Sequence, residues 1–368
     1  MMRHMAFSLR STNIVVGMVV GCALTLGGRA QQTVVPEVPS AAQKAFQEGA
    51  SYEDRKQLTS AVDSYREALK AAEGRCLACL EAIASVQMKM EDYKAAAATD
   101  VEIAKAAPDP RGRAEAERRE GMAFWELAEA ERDGRGAIDK NPKHAAASLE
   151  KAEAVLKQGV MDDPTDEAVR MAHGHVLAEL KRDEDARSEF AACAAVAGTS
   201  QAECARALRF SKDVASARGQ SAPTFEAKTM DGKTVSLDSL AGKVVLVDFW
   251  ATWCGPCRSD GDYVQSLLDS FDKEHFVLLE VNVDTDAEAW KNYVKSKRME
   301  GVQVHDEGRT LQDLFHVAAY PTYVILDGDG MVQERDVGTK GDLRGTVRRL
   351  IAGTPANDSA AKSSAGGS

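Results

Sequence analysis

Residues 243–250, Lys-Val-Val-Leu-Val-Asp-Phe-Trp, form a nearly continuous apolar run that ends directly on Ala251-Thr252-Trp253-Cys254-Gly255-Pro256-Cys257. A run apolar at successive positions suits a strand covered on both faces, and such strands belong to sheets sandwiched between helices rather than to half-solvated hairpins. Two residues between the cysteines permit a small disulfide ring, and the chain after Cys257 reads as a helix over 257–273. A cysteine at a strand-to-helix junction faces the positive end of the helix dipole, which stabilises its thiolate and lowers its pKa below the free value of about 8.5. The pattern predicts Cys254 as an attacking thiol with Cys257 as its partner.

The flanking sequence supplies the rest of an α/β domain. Runs at 276–283 and 322–326 have the same apolar, β-rich character, a helix is predicted over 287–299, and Asp231-Gly232 marks a hairpin turn just after Ala222-Pro223-Thr224-Phe225. Alternating strands and helices predict a partly parallel sheet with covering helices. The Trp-Cys-Gly-Pro-Cys string, together with this lead-in, resembles the thioredoxin superfamily, and within it the exported TlpA/ResA-type branch, over residues 221–353.

That resemblance implies a set of roles. Cys254 would attack a protein disulfide, and Cys257 would then attack the Cys254 sulfur to release the reduced substrate. Tyr320-Pro321-Thr322 stands where the superfamily places its cis proline, so Tyr320 and Pro321, with Trp253, Gly255 and Pro256, are the candidate substrate contacts. Asp248 matches the buried acid proposed to take the proton of the second cysteine, a task that burial suits by raising its pKa. Gly-Pro between the cysteines resembles the reducing members; thioredoxin lies near about −270 mV and a strong oxidant near about −120 mV. A reductase outside the cytoplasm would draw electrons from a membrane-embedded thiol donor, and no cofactor beyond the Cys254–Cys257 pair is implied.

The sequence also departs from the branch. The acid after the dithiol is kept as Asp260, but the proline that often follows is absent and Gly261 weakens the helix. Glu280 stands near where thioredoxins proper often carry a lysine beside the buried acid, and two neighbouring carboxylates would push one pKa up. A metal site at the pair is disfavoured: zinc needs four ligands, and only the isolated His275 lies nearby. Thiol peroxidases resemble this fold too, but Ala251 replaces the threonine they carry three residues before the cysteine.

Residues 40–215 are of another kind. They are rich in Ala, Glu and Lys, and Pro108 and Pro164 fall where helical hairpins should end. Self-similarity at about 34 residues places Gly49, Tyr52, Ala61, Tyr65 and Ala68 in one copy. Ala84, Tyr93, Ala96 and Pro108 mark a second, Gly174, Leu177, Ala186 and Phe190 a later one. Between them, 121–131 and 145–164 read as two helices around a polar loop at 133–143. Small residues let paired helices approach while aromatics fill the gaps, and the pattern resembles roughly four degenerate tetratricopeptide units. The expectation is a multidomain chain: an all-α tetratricopeptide-like array over 40–215 for docking an unidentified protein, then an α/β thioredoxin fold over 221–354 and a disordered tail over 355–368. The rival is a repeat-based scaffold protein whose thioredoxin fold mainly docks partners.

The N-terminus bears on the remaining cysteines. Arg3 and Arg10 precede an uncharged run over 14–28 and then Gly28-Arg29-Ala30, which reads as an export signal over 1–30. Val19-Val20-Gly21-Cys22 also resembles a lipobox, in which Cys22 would carry a lipid anchor. Either reading puts the mature protein outside the cytoplasm, in the periplasm or cell envelope, where cysteine pairs tend to be disulfides. Cys76 and Cys79 are then a local structural disulfide, without the tryptophan, Gly-Pro or preceding strand of the second pair. Leu80 excludes the histidine of a haem attachment. Cys193 and Cys204 flank a turn at Gly198-Thr199-Ser200 and either staple a hairpin or are buried as small apolar residues. A net charge of −11 gives no basic footprint for nucleic acid.

Overall fold

The computed structural model describes residues 38–135, 137–199, 201–338 and 341–353. The expected signal over 1–30, Cys22 and the expected tail over 355–368 lie outside the described residues. No helix among the described residues is long and apolar enough to cross a membrane.

The multidomain order is as expected, helices first and sheet second. Helices α1 (Gln43–Asp54) and α2 (Leu58–Ala71), α3 (Leu77–Lys89) and α4 (Tyr93–Ala106), α5 (Pro110–Asp133) and α6 (Pro142–Asp162), and α7 (Glu167–Glu179) and α8 (Asp183–Ala194) pack as successive hairpins, with α9 (Gln201–Lys212) against α8. Their starts are written in the sequence. Asp92, Asp109, Asn141 and Asp166 each accept a backbone N–H of the first turn, and Pro110 and Pro142 open their helices where a missing N–H costs nothing.

At three glycines the paired helices approach closely. A Cβ on Gly49 would lie 2.7 Å from the Tyr65 ring, one on Gly121 2.5 Å from Leu156, and one on Gly174 2.6 Å from Phe190. In each hairpin a bare backbone on the first helix receives a large side chain from the second, which offsets the entropic cost of glycine in a helix.

The second part begins with a hairpin, β1 (Glu226–Lys228) and β2 (Thr234–Ser236). After it come β3 (Val244–Trp250), α10 (Gly255–Gln265), β4 (Phe276–Asn282), α11 (Ala287–Lys297), β5 (Val302–His305), α12 (Thr310–Leu314), β6 (Thr322–Leu326), β7 (Val332–Val337) and α13 (Leu343–Gly353). The sheet order is β5-β4-β3-β6-β7, with β3, β4 and β5 parallel and β6 and β7 antiparallel to their neighbours. Every residue of β3 is buried. Val245, Val247 and Phe249 pack towards Phe225, Leu237 and Phe315 on one face, while Val244 and Leu246 pack with Val264 and Leu267 and with Leu343 and Val347 of α13 on the other.

One predicted element is shorter than expected. The helix foreseen over 257–273 ends at Gln265, after which Leu267, Leu268 and Ser270 donate to carbonyls three residues back. The Ser266 hydroxyl donates to the Tyr263 carbonyl at 2.7 Å, one of the local bonds by which serine competes with a continuing helix.

The sheet is tied to the helices at particular points. Met331, at the turn between β6 and β7, is buried among Met171, Leu177, Phe190, Phe210 and Val214. At the far end of the array, Lys56 bonds both carboxylate oxygens of Asp313 in α12 at 2.9 Å.

Candidate active site

The end of β3 and the start of α10 hold the dithiol. Cys254 is the N-cap of α10 and is joined to Cys257 by a 2.05 Å S–S bond, and its sulfur accepts the Cys257 N–H at 3.2 Å. Both sulfurs belong to buried residues, whereas Gly255 and Pro256 between them are exposed. The turn leading in is fixed from beyond β4: the Thr252 N–H donates to both oxygens of the buried Asp284, at 3.1 and 3.2 Å.

A second wall comes from the loop before β6. The Tyr320–Pro321 peptide bond is cis. The Tyr320 ring stands edge-on to Trp253 at 5.8 Å, and its hydroxyl donates to Oε1 of the buried Gln312 in α12. Trp253 itself is 64% exposed, the largest apolar side chain left open to solvent among the described residues. An exposed aromatic beside an exposed Gly-Pro and a bulky tyrosine makes a shallow surface suited to an extended peptide.

Beneath the dithiol lies a polar layer in an otherwise apolar core. Asp248 is buried, and its Oδ1 has no hydrogen-bond partner among the described residues. Burial first, then the neighbouring Glu280 and Asp260 carboxylates, holds its pKa well above the ordinary aspartate range. Glu280 is fully buried and, mainly through burial, is pushed up to about 7 despite hydrogen bonds from Gln265 and Gln303. Asp260 accepts the Tyr323 hydroxyl at 3.3 Å. A cavity of about 40 Å³ beside this layer is lined by Asp248, Cys257, Gly261, Glu280 and Lys297.

The structure thus brings Cys254, Cys257, Asp248, Trp253, Gly255, Pro256, Tyr320 and Pro321 to one place, and adds Asp284, Gln265, Gln303 and Gln312. Nothing in the local sequence marks these four, because each is defined by a neighbour from another element. Cys76 and Cys79 are bonded to each other at the start of α3, far along the chain in the helical array.

The hairpin staple considered for Cys193 and Cys204 is corrected: both are free thiols. Their side chains are engaged elsewhere, Cys193 donating to the Glu167 carbonyl at 3.4 Å and Cys204 to the Ala194 carbonyl at 3.4 Å. Burial pushes the Cys193 thiol up to about 12, so it stays protonated and inert to exchange at neutral pH.

A dithiol at a helix N-terminus, above a strand-borne acid and beside a cis-proline loop, defines a thioredoxin-like thiol-disulfide oxidoreductase domain. Residues 218–335 match the model of the AhpC/TSA family. The thiol-disulfide oxidoreductase ResA of Bacillus cereus is 31% identical over 134 residues, covering 36% of this chain and 78% of the relative. The thioredoxin-like protein YneN of Bacillus subtilis (strain 168) is 33% identical over 135 residues, covering 35% of this chain and 76% of the relative. A thiol:disulfide interchange protein of the thioredoxin family from Chlorobium tepidum TLS has a solved structure similar over 36% of this chain and 97% of its own, at 27% identity and a TM-score of 0.34. Through its C-terminal part, the chain belongs to the ResA-like family of thiol-disulfide oxidoreductases.

Proposed function

We propose that this protein reduces disulfides in protein substrates outside the cytoplasm, using Cys254 and Cys257, while its helical array docks a partner protein. Cys254, as a thiolate held at the N-terminus of α10, attacks one substrate sulfur and expels the other as a thiolate. Cys257 then attacks the Cys254 sulfur, its proton passing to the ionised Asp248, and the second substrate thiolate leaves. Two electrons move from the dithiol to the substrate, and a membrane-embedded thiol donor restores them. Trp253, Gly255 and Pro256, all exposed, together with Tyr320, which packs against the two cysteines, and Pro321 next to it, receive the substrate peptide.

The observation that carries this reading is the buried Asp248, with an oxygen free to accept a proton, in the cavity that Cys257 also lines. A structural disulfide has no use for an unpartnered acid beneath it, and burying one is costly. The docking half of the reading is supported by a cleft of about 700 Å³ whose walls mix Met88, Met122 and Leu314 with the charged Glu115, Arg118 and Arg119.

A Cys257→Ser variant should accumulate mixed disulfides with substrate proteins through Cys254, detectable as reductant-sensitive adducts. Equal recovery of the same proteins by a variant lacking both cysteines would replace exchange with the scaffold reading. In the full chain, fluorescence of Trp250 and Trp253 in graded thiol buffers should give a reduction potential at or below about −250 mV. A value near about −150 mV would instead make the protein an oxidant or isomerase.

A further inference from the structure

The sheet registers place Gln303, Glu280, Asp248 and Tyr323 in one row across β5, β4, β3 and β6. All four therefore share a face, the one that α10 covers, because neighbouring residues in register point the same way. A single buried acid is accounted for by the exchange chemistry proposed above, on which this inference rests; a second, fully buried acid beside it is not. Charged residues are almost never fully buried without a partner, yet no cation among the described residues is bonded to Glu280.

Glu280 is instead held by neutral donors. Gln265 Nε2 donates to its Oε1 at 2.8 Å, and Gln303 Nε2 donates to its Oε2. The Gly301 backbone also hydrogen-bonds this carboxyl, and it passes so close that a Cβ on Gly301 would collide with Oε2. Asp248 lacks this support at Oδ1. The cavity that both acids and Cys257 line has about 40 Å³, above the roughly 10–15 Å³ that one water needs. The other titratable groups facing the layer are Arg258, Asp260 and Asp262 of α10, Tyr293 and Lys297 of α11, and Tyr323 of β6.

We propose that Glu280 is the proton-exit residue of the resolving step, acting through Asp248: it takes across the water-sized cavity the proton that Cys257 gave to Asp248 and releases it to solvent. In that step the Cys257–Cys254 S–S bond forms, the bond from Cys254 to the substrate sulfur breaks, and the substrate departs as a thiolate. The proton moves from the Cys257 sulfur to Asp248, from Asp248 to Glu280 by way of water, and out past Lys297. The two glutamines hold Glu280 in one orientation without adding a counter-charge that would keep it ionised. As with any coupled pair of acids, the two titrate as a unit.

Dithionitrobenzoate tests this on the full chain once its Cys254–Cys257 disulfide has been reduced with dithiothreitol and the reductant removed. Attack by Cys254 releases one coloured thiolate, and resolution by Cys257 releases a second, identified as the release missing from Cys257→Ser. Glu280→Gln should leave the first release in place, slow the second by roughly ten-fold and shift its pH midpoint, and added imidazole, a diffusible proton carrier, should restore it. Glu280→Asp, which keeps an acid in the cavity, should retain most of the second release. A second release in Glu280→Gln with wild-type rate and pH midpoint would overturn the inference while leaving the exchange reading intact, and so would a slowed one that imidazole does not restore. Loss of both releases from Glu280→Gln together with a slow second release in Glu280→Asp would reduce Glu280 to a structural role. A wild-type chain showing no release dependent on Cys257 would sink the exchange reading itself.

Discussion

The chain carries two Cys-x-x-Cys pairs that are nearly the same object locally and differ in everything around them. Each first cysteine caps a helix, each sulfur accepts the N–H of its partner, at 3.1 Å for Cys76 and 3.2 Å for Cys254, and each pair is bonded. Cys76 and Cys79, however, are packed with Ala42, Ala68, Ala72 and Phe46, an apolar neighbourhood. The second pair has an exposed tryptophan on one side, a cis-proline loop on another and two acids below. On the function proposed above, a disulfide at a helix N-terminus would not be sufficient for exchange. A reactive pair also needs an open side for a peptide and a group to carry the proton of the buried thiol.

The strongest way to break this contrast is to remove each pair in turn. Cys254→Ala should abolish reduction of a protein disulfide, as measured by turnover of insulin, whereas the double change Cys76→Ala with Cys79→Ala should leave turnover within a few-fold of wild type. Comparable losses in both would mean that the helical pair takes part in electron transfer. Next in size is Asp248→Asn, expected to slow resolution by Cys257 about a hundred-fold. Because burial and its acidic neighbours raise the Asp248 pKa, the acid is neutral and unable to accept a proton at low pH, so the wild-type rate should climb as pH rises through that raised value. The asparagine variant should lose this rise, and a preserved pH profile would remove Asp248 from the proton path.

The same contrast predicts unequal effects on stability. Closing so short a loop still restricts the unfolded chain, and the double alanine change at Cys76 and Cys79 should cost about 2 kcal/mol in chemical unfolding. Reducing Cys254–Cys257 alone should cost less than this, because the Cys254 thiolate set free at the N-terminus of α10 is stabilised by the helix dipole. The smallest effect is expected at the rim. Trp253→Ala removes one edge-to-face contact with Tyr320, worth about 1 kcal/mol, and should raise KM for a protein substrate a few-fold with little change in kcat. A fall in kcat alone would move Trp253 from substrate contact to support of the dithiol.

The parts legible in the sequence were those written by near neighbours. The β3 run, the dithiol and the Asp231-Gly232 turn are continuous strings, and the hairpin glycines are readable because Gly49 and Gly174 each lie sixteen residues before the aromatic they receive. What was hidden was written by distant neighbours. β5 is four residues long and carries Gln303 and His305, so it has little apolar signal, and α12 is a single five-residue turn. Gln265, Gln303, Gln312 and Asp284 are ordinary polar residues until the fold sets each beside its partner. Cys193 and Cys204 show the converse: spacing around a turn allowed a bond, but spacing does not fix the direction of a side chain.

Met331 carries the sheet deep into the helices, and it sits in the turn of a hairpin whose first strand begins just after Pro321. Its burial makes the β6–β7 turn a shared part, completing a core whose other members belong to α7, α8, α9 and the turn after α9. Cutting the chain after Ser216 would therefore not yield two finished proteins. One fragment would expose a methionine made for an interior, and the other would keep an open socket between Phe190 and Phe210, so each would be prone to stick to whatever could fill the gap.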